Sequence, residues 1–146
     1  MDTNSPVSDE PVQKSERRAA PGVDYWAVEY KYITATQVEH TLKKPLEPGV
    51  CIYNLVDVFD GNRLVIYPGY AWDGPSGPAV DTPKFMLPSL VHDVLYQMMR
   101  EGVIPPDYKR HADKEMRRLA KATGMWAPRR WWSYTAVKWF GGNSAK

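Results

Sequence analysis

Cysteine is almost missing from this chain: Cys51 stands alone among 146 residues. A single thiol excludes an internal disulfide and a thiolate zinc site, and suits assembly in a reducing cytoplasm. Long apolar runs are missing as well. No stretch approaches the roughly 18 residues that cross a bilayer, and the N-terminus lacks the basic-then-apolar layout of a signal peptide. Neither a transmembrane segment nor classical secretion is therefore expected. Internal repeats are lacking, and the net charge is only +2. With 43% hydrophobic and 25% charged residues, the composition is that of an ordinary globular domain, neither disordered nor fibrous.

The length fits one core. Residues 1–22 contain Pro6, Pro11 and Pro21 and no aromatic residue. They cannot bury enough surface to offset the entropy of ordering and read as a disordered tail or docking peptide. A single domain is expected over 23–142, followed by a short tail at 143–146. From Tyr25, the residues Trp26, Val28, Tyr30 and Tyr32 alternate with Ala27, Glu29 and Lys31, the period of a half-buried strand. The run Val50 to Phe59 is rich in strand formers. Asp60-Gly61-Asn62 then leads into Arg63 to Tyr67, which predicts a hairpin. A shaped loop follows from Tyr67 to Pro78, with three Gly and three Pro in twelve residues.

Helical periodicity begins after that loop. Pro88 suits a first turn, and Leu90, Val91, Val94, Leu95, Met98 and Met99 recur at helical spacing, predicting a helix over 88–101. Pro105-Pro106-Asp107 supplies a capping residue. Ala112, Met116, Leu119 and Ala120 line one face of a second helix that Gly124 closes. A third helix is expected from Pro128 to Phe140. Strands first and helices second imply an α+β fold, a small N-terminal antiparallel β element followed by a three-helix C-terminal half.

Charge divides along the chain. Residues 107–146 hold ten Lys or Arg against three acidic residues, and the remainder holds nine against fourteen. That is +7 against −5, a cationic surface suited to phosphate-bearing lipid, nucleic acid or an acidic protein, or else a solvated helix face. Trp126, Trp131, Trp132 and Trp139 mix there with Arg129, Arg130 and Lys138, as in helices that lie in a lipid interface. The same aromatics fit a core stripe. No nucleic-acid module accompanies them, so nucleic acid is not an expected partner.

His92 and Tyr96, four residues apart, share one helix face, with Asp93 about a quarter-turn away. Asp113 is tilted toward the apolar face of the second helix, where a carboxylate needs a partner. The short link between the helices implies antiparallel packing that brings Asp113 against His92 and within reach of Tyr96. Such a His–Asp dyad frees the other ring nitrogen to take a proton from water or a substrate hydroxyl. Asp93, with the Gly-rich loop residues Gly69, Asp73 and Gly74, would form the hard oxygen site that calcium prefers, and the cation would polarise an ester carbonyl. Other readings stand beside this one. A histidine on an apolar helix is often a satisfied core residue. Asp73 and Ser76 also cap turns, and no nucleophile elbow surrounds Ser76. A transition-metal site from His92, Asp93, His111 and Asp113 is disfavoured because residues 111 and 113 do not share a helix face.

The strings Ala71-Trp-Asp-Gly-Pro-Ser-Gly-Pro78, Leu90-Val-His-Asp-Val-Leu-Tyr96, Arg110-His-Ala-Asp113 and Tyr134-Thr-Ala-Val-Lys-Trp-Phe-Gly141 resemble an uncharacterised domain family encoded by tailed phages and prophages. That resemblance covers roughly residues 60–142 and implies virion proteins as partners, in the virion or the host cytoplasm. The His-Asp-x-x-Tyr helix with a later Ala-Asp helix is also similar to phospholipase A2. This second resemblance implies His92 as base, Asp93 as calcium ligand, and Asp113 and Tyr96 as the pair that orients the histidine. The family's cysteines are absent here, and its calcium-loop pattern is not matched. The function expected is a virion-associated lipid esterase, with a non-catalytic virion structural or docking protein as the alternative.

Overall fold

The computed structural model describes residues 15–28, 31–74 and 83–124. Eight strands come first: β1 (Ser15–Ala20), β2 (Val23–Val28), β3 (Lys31–Thr34), β4 (Val38–Thr41), β5 (Cys51–Ile52), β6 (Val56–Phe59), β7 (Arg63–Ile66) and β8 (Ala71–Trp72). Helix α1 (Pro83–Arg100) follows, then a 3-10 turn at Pro106–Tyr108 and helix α2 (Lys109–Ala122). The strands form two antiparallel four-stranded sheets, ordered β1-β2-β3-β8 and β4-β7-β6-β5. The class is α+β, but the expected layout is corrected. The β part is two full sheets rather than a small element, and two helices, not three, follow among the described residues. The segment from Pro128 to Phe140, expected as a third helix, lies outside the described residues.

Strand pairing explains where the β part departs from expectation. The tail expected over 1–22 gives way to a strand from Ser15, paired with β2 from Ser15 opposite Val28 to Ala20 opposite Val23. Its side chains are almost all exposed, so backbone hydrogen bonds hold it and apolar content does not mark it. The alternating run from Tyr25 to Tyr32 is the hairpin β2–β3, not one strand. Its buried side chains are Val23, Tyr25 and Thr34, whereas Trp26 is exposed beneath the Arg17 guanidinium, 5.9 Å from the ring centroid. Pairing back on itself lets Tyr25 and Tyr32 meet each other at 5.4 Å and Trp72 at 6.0 and 5.7 Å. The run Val50 to Phe59 likewise splits into β5 and β6 at Asn54, whose φ is +61°. The β6–β7 hairpin turns through Asp60 and Gly61, both at positive φ.

Helix α1 is the axis of the core. Thirteen of its eighteen residues are buried, and beyond the first turn only the line of Asp93, Gln97 and Arg100 reaches solvent, while α2 buries the face turned to α1 and the sheets. One apolar cluster joins Val23 and Tyr25, Leu64 and Ile66, Leu90 and Val94, and Leu119. Helix α1 starts at Pro83, earlier than expected, and carries Pro88 inside it. Pro88 has no N–H to give the Lys84 carbonyl, and the Thr123 hydroxyl at the end of α2 donates to that carbonyl at 2.5 Å. The end of α2 thus lies at the start of α1, and the helices run antiparallel. No described helix is long and apolar enough to cross a membrane.

Candidate functional site

Antiparallel packing sets α2 beside the middle of α1, where His92 and Tyr96 share a face. His92 Nε2 stands 2.8 Å from Asp113 Oδ1, and the Tyr96 hydroxyl donates to the same oxygen at 2.7 Å. The two rings stack with centroids 4.0 Å apart. A carboxylate only accepts, so Nε2 carries the hydrogen and the neutral imidazole keeps its lone pair on Nδ1. Nδ1 faces Asp93, whose Oδ1 is 3.9 Å away. The triad is deep, with His92 5%, Tyr96 2% and Asp113 2% exposed, but the Asp93 side chain is 36% exposed. The open side of the imidazole is the Asp93 side.

Charge follows from this placement. Burial pulls the His92 pKa down, but the hydrogen bond it donates to Asp113 and the approach of Asp93 outweigh it, leaving the imidazole more basic than usual. Burial pushes the Asp93 carboxyl above its ordinary range, helped by the Asp73 charge and opposed by His92.

The Gly-rich loop is laced to α1. Tyr70 and Trp72 alternate along the chain and point to the same side. The Trp72 indole N–H donates to Ser89 Oγ at 3.1 Å, and the Tyr70 hydroxyl donates to Gln97 Oε1 at 2.5 Å. Burial raises the Tyr70 pKa and keeps that hydroxyl protonated. Ser89, Asp93 and Gln97 are spaced four apart on one line of α1, so Asp93 lies between two anchor points. Sequence reasoning missed these anchors. Their signal is the period of two at Tyr70 and Trp72 set against a period of four on the helix.

The expected cation ligands converge only in part. Asp73 is 82% exposed and lies 3.8 Å from Lys31 Nζ. The Gly69 N–H donates to the Thr34 carbonyl, and Gly74 packs beneath the Tyr32 ring. Ser76 lies outside the described residues. His111 is set against Tyr108 at 5.3 Å, away from His92. Among the described residues no three His, Cys, Asp or Glu side chains are grouped to hold a metal ion.

A second buried histidine–carboxylate pair was not visible in the sequence. His40 Nε2 on β4 stands 2.5 Å from Glu115 Oε1 on α2. Arg118 also pairs with Glu115 and donates to the Thr41 carbonyl at 2.9 Å. The Lys43 N–H approaches the other Glu115 oxygen at 3.4 Å. Burial alone would raise the Glu115 pKa, but His40 and Arg118 together hold it below the usual range. Both oxygens of this carboxylate have partners, which marks a clasp between sheet and helix. Comparison with protein-family models, curated proteins and solved structures returns no match.

Proposed function

We propose that this chain is a hydrolase that uses His92 as a general base to cleave a lipid ester. The observation that carries the reading is the asymmetry of the imidazole: Nε2 is fixed on Asp113, and Nδ1 faces the half-exposed Asp93. A water at Nδ1 would lose its proton to His92 as it attacks the ester carbonyl. Asp113 then stabilises the imidazolium, and Tyr96 fixes Asp113 by its hydroxyl. Asp93 and Asp73 offer hard carboxylate oxygens, and a calcium ion held there would polarise the carbonyl. The phospholipase-like motif supports a phospholipid as the ester. The tailed-phage resemblance supports a virion setting.

The depth of the triad favours a second reading, a buried polar network without catalysis, because such networks specify a fold when every member is satisfied. Fatty-acid release from mixed phospholipid vesicles separates the two. The expected result is release in calcium, loss with chelator, and a drop of roughly 100-fold or more in a folded His92→Ala variant. Absence of release by folded wild-type protein would leave the structural reading.

A further inference from the structure

Beyond its first turn, helix α1 leaves one line of side chains open to solvent: Asp93, Gln97 and Arg100. Arg100 follows Asp93 by seven residues, which sets it about 20° from Asp93 around the axis and about 10.5 Å along it. Side chains on a helix lean toward its N-terminus, which directs the Arg100 guanidinium back over Gln97 toward Asp93. The charges of Asp93 and Arg100 are felt by one another, and both reach the Tyr70 hydroxyl that lies on Gln97 between them. Gln97 is engaged at both ends, since Oε1 accepts from Tyr70 at 2.5 Å and Nε2 donates to Glu101 Oε1 at 3.2 Å. Among the described residues no hydrogen bond or ion pair holds the Arg100 guanidinium. A cation in the last turn suits the helix dipole, but the dipole does not call for alignment with Asp93. The open line thus runs from the Nδ1 side of His92 to a guanidinium, over a floor whose own polar groups are already bonded.

We infer that Arg100 is a substrate-binding residue that takes the phosphodiester of a glycerophospholipid while an ester of the same molecule lies at His92; the inference rests on the esterase reading. In such a lipid the phosphate hangs from the glycerol carbon next to the one that carries the central ester. A molecule laid along the open line of α1 with that carbonyl beside Nδ1 brings its anion over Gln97 to the guanidinium. The planar guanidinium meets phosphate oxygens through two parallel N–H donors, and a neutral glyceride has no such oxygens to offer. Arg100 then sets specificity among esters and leaves the proton transfer to His92.

The test uses the full chain and a short-chain diether phosphatidylcholine, which keeps the phosphodiester and has no ester to cleave, beside the matching diether glycerol, which has neither. Binding is followed by NMR of the His92 ring. The phospholipid is expected to bind about tenfold tighter than the diether glycerol, and Arg100→Gln to lose that advantage, with Arg100→Lys recovering part of it. Lys121→Gln, on the exposed face of α2, binds as wild type does. In fatty-acid release, the preference for phosphatidylcholine over diacylglycerol falls by the same factor in Arg100→Gln, through KM more than kcat. Binding of the diether without release from any ester lipid would overturn the esterase reading and leave the phosphate site standing. No binding, equal affinity for the two diethers, or a preference untouched in an Arg100→Gln variant of wild-type urea midpoint overturns the phosphate site, whether or not esters are cleaved. Inorganic phosphate that binds as tightly as the diether phospholipid overturns the lipid assignment.

Discussion

Asp113 is where the geometry makes its sharpest demand, since one oxygen serves both His92 Nε2 and the Tyr96 hydroxyl in a site almost without solvent. Truncation by Asp113→Ala leaves two buried donors without an acceptor. At about 1–3 kcal/mol for each, the loss is about 2–6 kcal/mol, a large part of the 5–15 kcal/mol that holds an ordinary domain. Asp113→Asn is the more informative change because its amide oxygen still accepts both hydrogen bonds and only the charge is removed. Bonds to charged groups exceed neutral ones by about 1 kcal/mol each, so the expected loss is about 1–3 kcal/mol, or a urea midpoint lower by roughly 1 M.

The pH dependence carries the decisive sign. The folded His92 pKa lies above its ordinary 6.5, so its stabilisation is complete below that value and fades as pH rises through the folded one. The gap between wild type and Asp113→Asn should therefore be widest near about pH 5.5 and narrower near about pH 9. Urea unfolding across that range measures the gap, and an NMR titration of the His92 ring locates its pKa directly. A gap that grows toward high pH, or a wild-type His92 that titrates below 6.5, would refute the reasoning.

Three further outcomes test the packing. Thr123→Val should cost about 1 kcal/mol by freeing the Lys84 carbonyl, and adding Pro88→Ala should recover much of it because residue 88 then supplies an N–H. Penalties that simply add in the double variant would contradict this. Glu115→Gln should remove about 1–3 kcal/mol near neutral pH by taking the negative charge from the hydrogen bonds of His40 and Arg118. Because the folded Glu115 pKa is depressed below 4.5, its contribution is present above that value and lost as pH falls through the folded one, so the deficit should shrink in acid; a constant deficit would count against the clasp. Gly74→Ala meets a φ of +78° and sets a Cβ 2.3 Å from Tyr32 Cε2, so it should lower Tm by several degrees. In a Tyr32→Ala background only the backbone part of that penalty should remain, as a double-mutant cycle would show.

The parts of this molecule that could be read from sequence are those governed by neighbours along the chain. Apolar recurrence at helical spacing marks α1 and α2, and the same spacing sets His92 and Tyr96 on one face. Asp113 was visible as a charge on an apolar stripe across a short link. Sheet pairing is different, because β1 buries almost nothing and exists through bonds to β2. Pro88 pointed to a helix start because its remedy, the Thr123 hydroxyl, lies on another helix.

His40 and Glu115, far apart in the chain, give no local signal, yet they repeat the chemistry of His92 and Asp113 on the same helix. Asp113 and Glu115 are two residues apart, about 200° around α2, so one helix grips α1 with one carboxylate and β4 with the other. What separates the two pairs is saturation, not burial. Glu115 is met by His40, Arg118 and the Lys43 N–H, so both of its oxygens are engaged within the fold. Beside His92, Asp93 meets Nδ1 at 3.9 Å and feels the charges of Asp73 and Arg100, and its side chain stays 36% exposed. A carboxylate with its hydrogen bonds filled is architecture. The imidazole lone pair beside the half-exposed Asp93 is the feature on which the proposed ester hydrolysis rests.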